Sequence, residues 1–347
     1  MMEPHSSATA PAELPAHAQV LQMTLAPLIT QSLYVSAKLG IADLLAKSPQ
    51  TAAQLAAATE THERSLYRVL RALASVGVFY ENENGTFTNT PMSETLMTDA
   101  PNSTRYFVMI IGEEPHWRNI GHTIYSVKTG KPAWEHVHGE PLFPYMFNTK
   151  PELGEIFNRA MISFSHQDIS PVLNSYDFSG IGTLADVAGG YGHLLAAVLK
   201  TYPSMKGVLF ELPQLIDGAR GLMESSGVAD RVEFVAGDFR EEIPVRADAY
   251  MLKHIIHDWY DDTNQKILGN VREHMPDDGR VLIMDSIIPL GNEPHMKKVL
   301  DIEMLIAPGG VERTTKEFET LLNSSGFRLN RIIHTNAPIS IIEGVKA

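Results

Sequence analysis

The chain of 347 residues contains no cysteine, which excludes disulfide bonds, thiolate nucleophiles and cysteine-based zinc sites. Basic residues are also scarce. The net charge of −13 argues against nucleic acid as the main partner, because phosphate contact needs a basic surface. No apolar run is long enough to cross a membrane, and the first basic residue is Lys38, so we expect no membrane span, no signal peptide and a cytoplasmic protein.

What the sequence does have is a glycine turn between two apolar segments. Residues 185–192 read A-D-V-A-G-G-Y-G, and Glu211 ends a second apolar segment about twenty residues after Gly189. Glycine lets the backbone approach a ligand closely, and a carboxylate at the next strand end can bind both hydroxyls of a ribose. The spacing predicts a nucleoside site. The glycine order differs from the G-x-G-x-x-G of dinucleotide-binding folds.

Two further apolar segments end in polar residues. Asp238 and Phe239 follow the third segment, and Lys253 ends the fourth. Ligands of open α/β sheets bind at the carboxyl ends of the strands. We therefore expect Asp238 to accept from an exocyclic amine, Phe239 to lie against a purine, and Lys253 to share the same edge.

From residue 182 onward, short apolar segments alternate with helical ones. This pattern predicts a doubly wound, mostly parallel α/β sheet that an antiparallel hairpin closes. The seven predicted strands cover residues 184–187, 207–210, 232–234, 249–253, 281–286, 328–334 and 339–343.

The amino-terminal part has a different pattern. Residues 1–14, rich in Ala, Pro and Ser, predict a flexible tail. Residues 17–47 predict a helix that is apolar on most sides, which suits a subunit interface. Two helices over 51–58 and 64–76, followed by a hairpin around residues 82–85, predict a winged helix-turn-helix.

Five motifs together resemble a known family. They are D-V-A-G-G-Y-G, E-L-P, G-D-F, L-K-H-I-I-H-D-W and G-G-V-E-R-T. With them the chain is similar, over nearly its whole length, to class I S-adenosylmethionine-dependent O-methyltransferases of the plant caffeate/flavonoid and bacterial phenazine/polyketide type.

The resemblance implies S-adenosylmethionine as the cofactor and a Rossmann-like methyltransferase fold. Gly189 and Gly190 would lie at its methionyl part, Glu211 at the ribose, Asp238 and Phe239 at the adenine, and Lys253 would also contact it. Two positions depart from the family pattern: Ala188 stands where a third glycine is common, and Glu211 where Asp is commoner.

The resemblance also implies the domain organisation. Residues 15–110 would form a helical, winged-helix dimerisation domain of a homodimer, and residues 111–347 a catalytic domain. Residues 111–180, which are predicted mostly helical and carry many large apolar side chains, would line the substrate pocket.

The chemistry of methyl transfer to a phenol needs a base, because a phenol with a pKa near ~10 must lose its proton during attack. Histidine suits this role, and His257 follows the fourth predicted strand where the methyl group would point. His257 also matches the base of the family, and Asp285 and Glu312 match its flanking acids. Asp285 is one methylene shorter than the Glu that is usual in the plant enzymes.

Pocket residues follow from the same resemblance. F-N-R-A-M at residues 157–161 matches a family motif whose methionine, here Met161, packs on the substrate ring. Met304 and His254 are further candidates for the pocket wall. We expect an aromatic, hydroxyl-bearing small molecule such as a phenylpropanoid, flavonoid, phenazine or polyketide.

A metal site is an alternative for the histidines. His254, His257 and Asp258 stand at i, i+3 and i+4, so a helix would bring them to one face. No clear third ligand group accompanies them, so we expect no metal cofactor.

Two other functions stay open as alternatives. The same fold can methylate nitrogen or carbon instead of oxygen. A DNA-binding regulator is the second alternative, because the second helix of the predicted helix-turn-helix carries a basic stripe of Arg64, Arg68 and Arg71. Neighbouring acids and the net charge oppose DNA binding.

Overall fold

The computed structural model describes residues 14–347 and divides into two units at Glu113. Most of the predicted tail 1–14 therefore lies outside the described residues. The helix predicted over 17–47 is two helices, because Gly40 adopts a φ of 66° and turns the chain between them. The helices of the first unit are α1 Ala16–Lys38, α2 Ile41–Leu45, α3 Ala52–Ala58, α4 Glu63–Ser75, α5 Pro91–Glu94 and α6 Arg105–Gly112.

The predicted helix pair and hairpin are present in this unit. Leu66, Leu70 and Leu73 form the buried stripe of α4. The guanidinium of Arg71 lies over the Tyr67 ring, 5.6 Å from its centroid. The strands are β1 Gln50–Thr51, β2 Phe79–Glu81 and β3 Thr86–Asn89, in the antiparallel order β1-β3-β2. The sequence missed β1 because two residues are too few to show alternation.

The second unit begins with helices that precede its sheet. The predicted helical segment contains α7 Glu114–Ile120, α8 Thr123–Thr129, α9 Ala133–His138, α10 Leu142–Pro144, a π-helical turn at Tyr145–Thr149, and the long α11 Pro151–Ser175.

A seven-stranded sheet follows, in the order β6-β5-β4-β7-β8-β10-β9. The first five are parallel, and β10 and β9 are antiparallel, as predicted. The strands are β4 Thr183–Val187, β5 Lys206–Glu211, β6 Val232–Ala236, β7 Ala249–Lys253, β8 Arg280–Asp285, β9 Phe327–His334 and β10 Ser340–Lys346.

Helices lie between the strands and cover the sheet. They are α12 His193–Thr201, α13 Pro213–Ser226, α14 Asp261–His274, α15 Met296–Ile306 and α16 Thr315–Ser324, with 3-10 turns at Ala229–Arg231 and Ile256–Asp258. Two apolar clusters fill the interior, one built on Leu184, Leu209 and Met251, the other on Val187, Phe210 and Leu252. Within residues 14–347, no helix is both long and apolar enough to cross a bilayer.

Candidate active site

The carboxyl ends of β4 and β5 form the first cluster, here called the glycine-turn cluster: residues 188–192 with Glu211. Gly190 and Gly192 adopt φ values of 61° and 83°, which turn the chain from β4 into α12. A Cβ at Gly189 would lie 2.3 Å from the Asp186 carboxyl group, so only glycine fits there. Ala188 has a φ of 55°, a left-handed conformation that glycine adopts without strain.

Glu211 is held by this turn. Its Oε2 accepts from the Gly190 amide at 2.8 Å, and its Oε1 from the Leu212 amide at 2.7 Å. Burial raises the pKa of Glu211, against the two backbone hydrogen bonds. Burial also raises the pKa of Asp186 to about 7. The structure thus brings Gly189, Gly190 and Glu211 together, as the sequence predicts.

Asp238 lies beyond β6 and already has a side-chain partner. Arg240 donates to its carboxylate, with Nη2 2.6 Å from Oδ2 and Nε 3.0 Å from Oδ1. The hydrogen bond from Arg240 lowers the pKa of Asp238 despite partial burial. The ring of Phe239 is in edge contact with Trp259, at a centroid distance of 6.2 Å. An adenine amine at Asp238 would share the carboxylate with Arg240, a contact that the sequence did not reveal.

Lys253 ends β7 and points to α11. Its Nζ donates to Ser165 Oγ at 2.8 Å. Burial lowers the pKa of Lys253, while Asp168, Asp186 and Asp285 act in the opposite direction.

The second cluster lies beyond β7 and β8 and is here called the histidine cluster: His254, His257, Asp285 and Glu312. His257 stands in the 3-10 turn Ile256–Asp258. Its Nδ1 donates to Glu312 Oε1 at 3.2 Å and lies 3.9 Å from Asp285 Oδ1, while its Nε2 lies 3.5 Å from Asp258 Oδ1. The sequence-predicted base and both predicted acids are therefore neighbours.

The charge of His257 is set by these acids. Burial alone would lower the pKa of His257, but Asp285, Asp258 and Glu312 outweigh it and raise the pKa to about 9. Burial raises the pKa of Asp258 to about 6. The side chain of His257 is therefore an imidazolium at neutral pH in the ligand-free protein.

Asp285 ends β8 and is fully buried. Neither of its carboxylate oxygens has a hydrogen-bond partner among the described residues. Backbone amides therefore do not account for its presence at the strand end. The imidazoles of His254 and His257 lie 3.6 Å and 3.9 Å from its Oδ1.

Glu312 reaches His257 because its loop lies against the turn that carries the histidine. A Cβ at Gly310 would stand 1.9 Å from the His257 carbonyl oxygen, so the loop requires glycine. The Val311 amide donates to that same oxygen at 2.8 Å. Helix α15 holds the loop from the other side, since Lys297 Nζ lies 3.2 Å from Glu312 Oε1 and Asp301 accepts from the Glu312 amide at 2.8 Å.

The imidazole of His254 lies close to two carboxylates, those of Asp168 and Asp285. His254 adopts a φ of 56° and precedes the 3-10 turn, so the single helix considered for His254, His257 and Asp258 does not form. Its Nε2 donates to Asp168 Oδ2 at 2.8 Å, and its Nδ1 lies 3.6 Å from Asp285 Oδ1. The two imidazole centroids are 5.5 Å apart.

The two predicted pocket methionines lie on helices that contact these clusters. Met161 shares a face of α11 with Ser165 and Asp168, at i, i+4 and i+7. Met304, which is buried, shares a face of α15 with Lys297 and Asp301, because the three residues stand at i+7, i and i+4. Each methionine therefore lies on the side of its helix that contacts Lys253 and His254, or Glu312.

Sequence reasoning missed four side chains that hold the predicted ones in place: Ser165, Asp168, Lys297 and Asp301. These four residues share a helix face with Met161 or Met304, and that spacing is the one sign of them in the sequence. It becomes informative only when the structure shows which element the helix packs against. Asp261 and Asp262 stand at the first two positions of α14, but neither caps the helix. The N-cap is Tyr260, and Asp261 instead binds the buried Arg313, whose Nη2 is 2.6 Å from its Oδ1.

The chain was compared with known proteins. Residues 117–328 match the sequence model of the O-methyltransferase domain, and residues 21–99 match that of the O-methyltransferase dimerisation domain. The chain is 41% identical to the phenazine O-methyltransferase PhzM of Lysobacter antibioticus, over 95% of this chain and 96% of that protein.

Two further similarities bear on the donor and on the acceptor atom. The chain is 36% identical to the 8-amino-8-demethylriboflavin N,N-dimethyltransferase of Streptomyces davaonensis, over 85% of each chain. It superimposes with a TM-score of 0.84 on the methyltransferase CalO1 of calicheamicin biosynthesis in its SAH-bound form, at 33% identity, covering 96% of this chain and 100% of the other.

Proposed function

This chain belongs to the family of S-adenosylmethionine-dependent O-methyltransferases, and we propose that it methylates a hydroxyl of an aromatic small molecule with His257 as the general base. The acceptor we propose is a hydroxylated polycyclic aromatic of the phenazine or polyketide type, as the name of its phenazine-methylating relative suggests. The observation that carries the proposal is the His257 imidazole, bound to Glu312 at 3.2 Å beside the buried Asp285.

The glycine-turn cluster fits the donor. S-adenosylmethionine supplies a methyl group on a positively charged sulfonium sulfur. Each carboxylate oxygen of Glu211 accepts one backbone hydrogen bond, which leaves further lone pairs for ribose hydroxyls. A Cβ at Gly190 would meet nothing within 4 Å, so there is space beside the turn.

We propose that Gly189 and Gly190 lie at the methionyl part and Glu211 at the ribose. Asp238 and Phe239 would hold the adenine, with Arg240 orienting the Asp238 carboxylate. Lys253 would lie beside the donor, with its ammonium group held by Ser165.

Proton transfer belongs to the histidine cluster. Nδ1 of His257 keeps its proton towards Glu312, so Nε2 is the nitrogen that accepts the proton of the acceptor hydroxyl. Glu312 and Asp285 orient the ring and stabilise the imidazolium that forms. The reaction as proposed needs no metal ion.

The same acids impose a condition on the base. With a pKa of about 9, His257 holds a proton on Nε2 at neutral pH and cannot accept another. A positive charge bound nearby favours the neutral imidazole, because like charges repel. We therefore propose that His257 becomes an effective base when a sulfonium lies beside it, so that the donor and the base are coupled by charge.

The test is methyl transfer from radiolabelled S-adenosylmethionine to a panel of hydroxylated phenazines and naphthoic acids, with mass spectrometry of the product. His257→Ala should lower turnover by about 10²- to 10⁴-fold. The affinity for S-adenosylhomocysteine should stay within about twofold, since the ring nitrogens of His257 face Glu312 and Asp258 and not the glycine-turn cluster. Near-normal turnover of the true acceptor by this variant would remove His257 from the mechanism.

Nitrogen methylation is the second candidate, because the riboflavin-type relative is an N,N-dimethyltransferase. An aromatic amine or ring nitrogen attacks through a lone pair and needs no base beforehand. His257→Ala would then spare methylation of nitrogen while abolishing that of oxygen. We favour oxygen because the histidine cluster has no task in the nitrogen reaction.

We also propose that the protein is a homodimer through residues 15–110. Helix α1 exposes a series of apolar side chains, each more than half exposed, which need a cover: Val20, Leu21, Met23, Leu25 and Leu28. Leu25→Glu with Leu28→Glu should give a monomer by light scattering at micromolar concentration, where the unaltered chain is dimeric. A monomeric unaltered chain would contradict the proposal.

A further inference from the structure

Two residues of the histidine cluster, His254 and Asp285, carry buried atoms that no hydrogen bond from the described residues satisfies. Nδ1 of His254 and both oxygens of Asp285 are buried and have no hydrogen-bond partner among residues 14–347. Burying such atoms unpaired costs about 1–3 kcal/mol each, more for a charged group. The cluster therefore calls for a positively charged or donating occupant.

The tautomer of His254 also favours a positively charged occupant. Asp168 accepts at 2.8 Å from Nε2, so the proton of a neutral His254 stands on Nε2. Its Nδ1 then directs a lone pair at Asp285 Oδ1, 3.6 Å away. Two acceptors face each other. A carboxylate that fixes one nitrogen of a histidine whose other nitrogen is free is the arrangement found behind metal-bound histidines.

The distances suit a small cation. One nitrogen each of His254 and His257 and one oxygen of Asp285 all lie within 4.8 Å of one another. Ligand atoms of a tetrahedral zinc site, at bonds of about 2.0–2.2 Å, stand about 3.4 Å apart. The observed 3.6 Å and 3.9 Å from Asp285 Oδ1 to the two imidazoles need only small side-chain rotations to close.

We propose that His254, His257 and Asp285 bind a Zn²⁺ ion, and that this ion inhibits methyl transfer by occupying His257. Two imidazoles and one carboxylate, with a position left open, are the ligands and the number that Zn²⁺ takes in sites that exchange a further ligand. The spacing of residues along the sequence shows no third ligand group for a metal at these histidines. Asp285 is that ligand, from a strand that no spacing in the sequence connects to the histidines.

The zinc site goes beyond the proposed function and does not depend on it, whereas the inhibition rests on the proposed role of His257 as the base. The chain has no cysteine, so zinc has no thiolate to bind, and inhibition by zinc would have to act through histidines and carboxylates. The surroundings favour a cation, since the buried carboxylates of Glu312 and Asp285 lie 3.2 Å and 3.9 Å from Nδ1 of His257.

The test is calorimetric titration of chelator-treated protein, expressed without a histidine tag, with zinc chloride. We expect one strong site per chain, with a dissociation constant below about 0.1 mM. His254→Ala and Asp285→Asn should abolish that site, and Asp168→Asn should weaken it about 10- to 100-fold by freeing the tautomer of His254. His274→Ala, at an exposed histidine of α14, is the matched control and should bind zinc like the unaltered protein.

Circular dichroism and binding of S-adenosylhomocysteine would show that each variant is folded. Absence of a strong zinc site in the unaltered protein would overturn the proposal. The proposed role of His257 as the base would be unaffected by that result. A site that survives both His254→Ala and Asp285→Asn would also overturn the proposal. Where methyl transfer is measured, zinc should inhibit it and a chelator restore it.

Discussion

The glycine-turn cluster and the histidine cluster lie at the same edge of one sheet but are held together differently. Glu211 is fixed by two backbone amides, that of its own neighbour Leu212 and that of Gly190, the latter within the single unit β4–α12–β5. His257 is held by side chains from separate parts of the chain: Glu312, which Lys297 of α15 contacts in turn, and Asp285, 3.9 Å away. Helix α11 holds the neighbouring His254 through Asp168. Backbone turns hold the first cluster and packing between distant elements holds the second.

This difference has a functional consequence. A site made by the backbone of one turn is specified locally and changes little when distant residues change. A base surrounded by buried carboxylates has a pKa that any one of them can move. The two clusters should therefore respond to mutation in separable ways, one in donor affinity and the other in rate and its pH dependence.

Gly310→Ala should give the largest difference between the effect on turnover and the effect on ligand affinity. The new methyl group would overlap the His257 carbonyl oxygen and push the Glu312 loop away from the imidazole. A displacement of about 1 Å can cost about 10²-fold in rate. We expect that loss in turnover with affinity for S-adenosylhomocysteine nearly unchanged. Gly269→Ala, at an exposed helix position with free space, is the control and should alter neither. Equal turnover in the two variants would contradict the assigned role of the loop.

Glu211→Ala is the reverse experiment. Loss of a carboxylate that binds two ribose hydroxyls should weaken donor binding about 10- to 100-fold by calorimetry, because a hydrogen bond to a charged group contributes about 1.5–3 kcal/mol. Turnover at saturating donor should fall much less. Glu211→Asp, which keeps the charge, should bind with intermediate affinity. If donor affinity is unaffected by the alanine, the ribose assignment is wrong.

Glu312→Gln should shift the pH profile rather than abolish activity. The imidazole must be neutral to accept a proton, so kcat/KM falls as the pH decreases through the pKa of His257, about 9 in the free protein. Removing one carboxylate lowers that pKa, and the limb should move to lower pH by on the order of one unit. Glu319→Gln, at an exposed position of α16, removes the same charge and should leave the limb in place.

Ala188→Gly should have the smallest effect. Relief of the left-handed conformation, about 1–2 kcal/mol, is offset by the greater freedom of glycine in the unfolded chain, about 0.5–1 kcal/mol. We expect a gain in unfolding free energy of at most about 1 kcal/mol by thermal denaturation. Glu60→Gly relieves a similar φ, 54°, far along the chain and should behave alike. A loss of donor affinity in Ala188→Gly alone would show that the alanine methyl group contributes to the site.

The sequence was sufficient for the fold and for the glycine-turn cluster. The seven strands, and which of them run parallel or antiparallel, follow from the pattern of apolar segments. The turn at Gly189 and Gly190 is a local motif. The long first helix was extended too far because apolar spacing continues past Gly40, whose positive φ breaks the helix.

The histidine cluster was predicted only in part, for a physical reason. His257, Asp285 and Glu312 came from motifs, but Lys297 of α15 contacts Glu312 and Asp168 of α11 contacts His254, and only packing of these helices on the sheet edge brings them there. Three surrounding acids, Asp285, Asp258 and Glu312, raise the pKa of His257. Such effects depend on distances across the fold, which no pattern along the chain contains.

The most direct test of the coupling between donor charge and base is an NMR titration of His257, assigned by loss of its signal in His257→Gln. Three samples are needed: the free protein, the protein with S-adenosylmethionine, and the protein with S-adenosylhomocysteine, which lacks the positive charge. The account predicts a pKa of about 9 in the free protein, a clearly lower one with the sulfonium donor, and a smaller change with the neutral product. A pKa near the ordinary ~6.5 in the free protein, or the same value with both ligands, would contradict it.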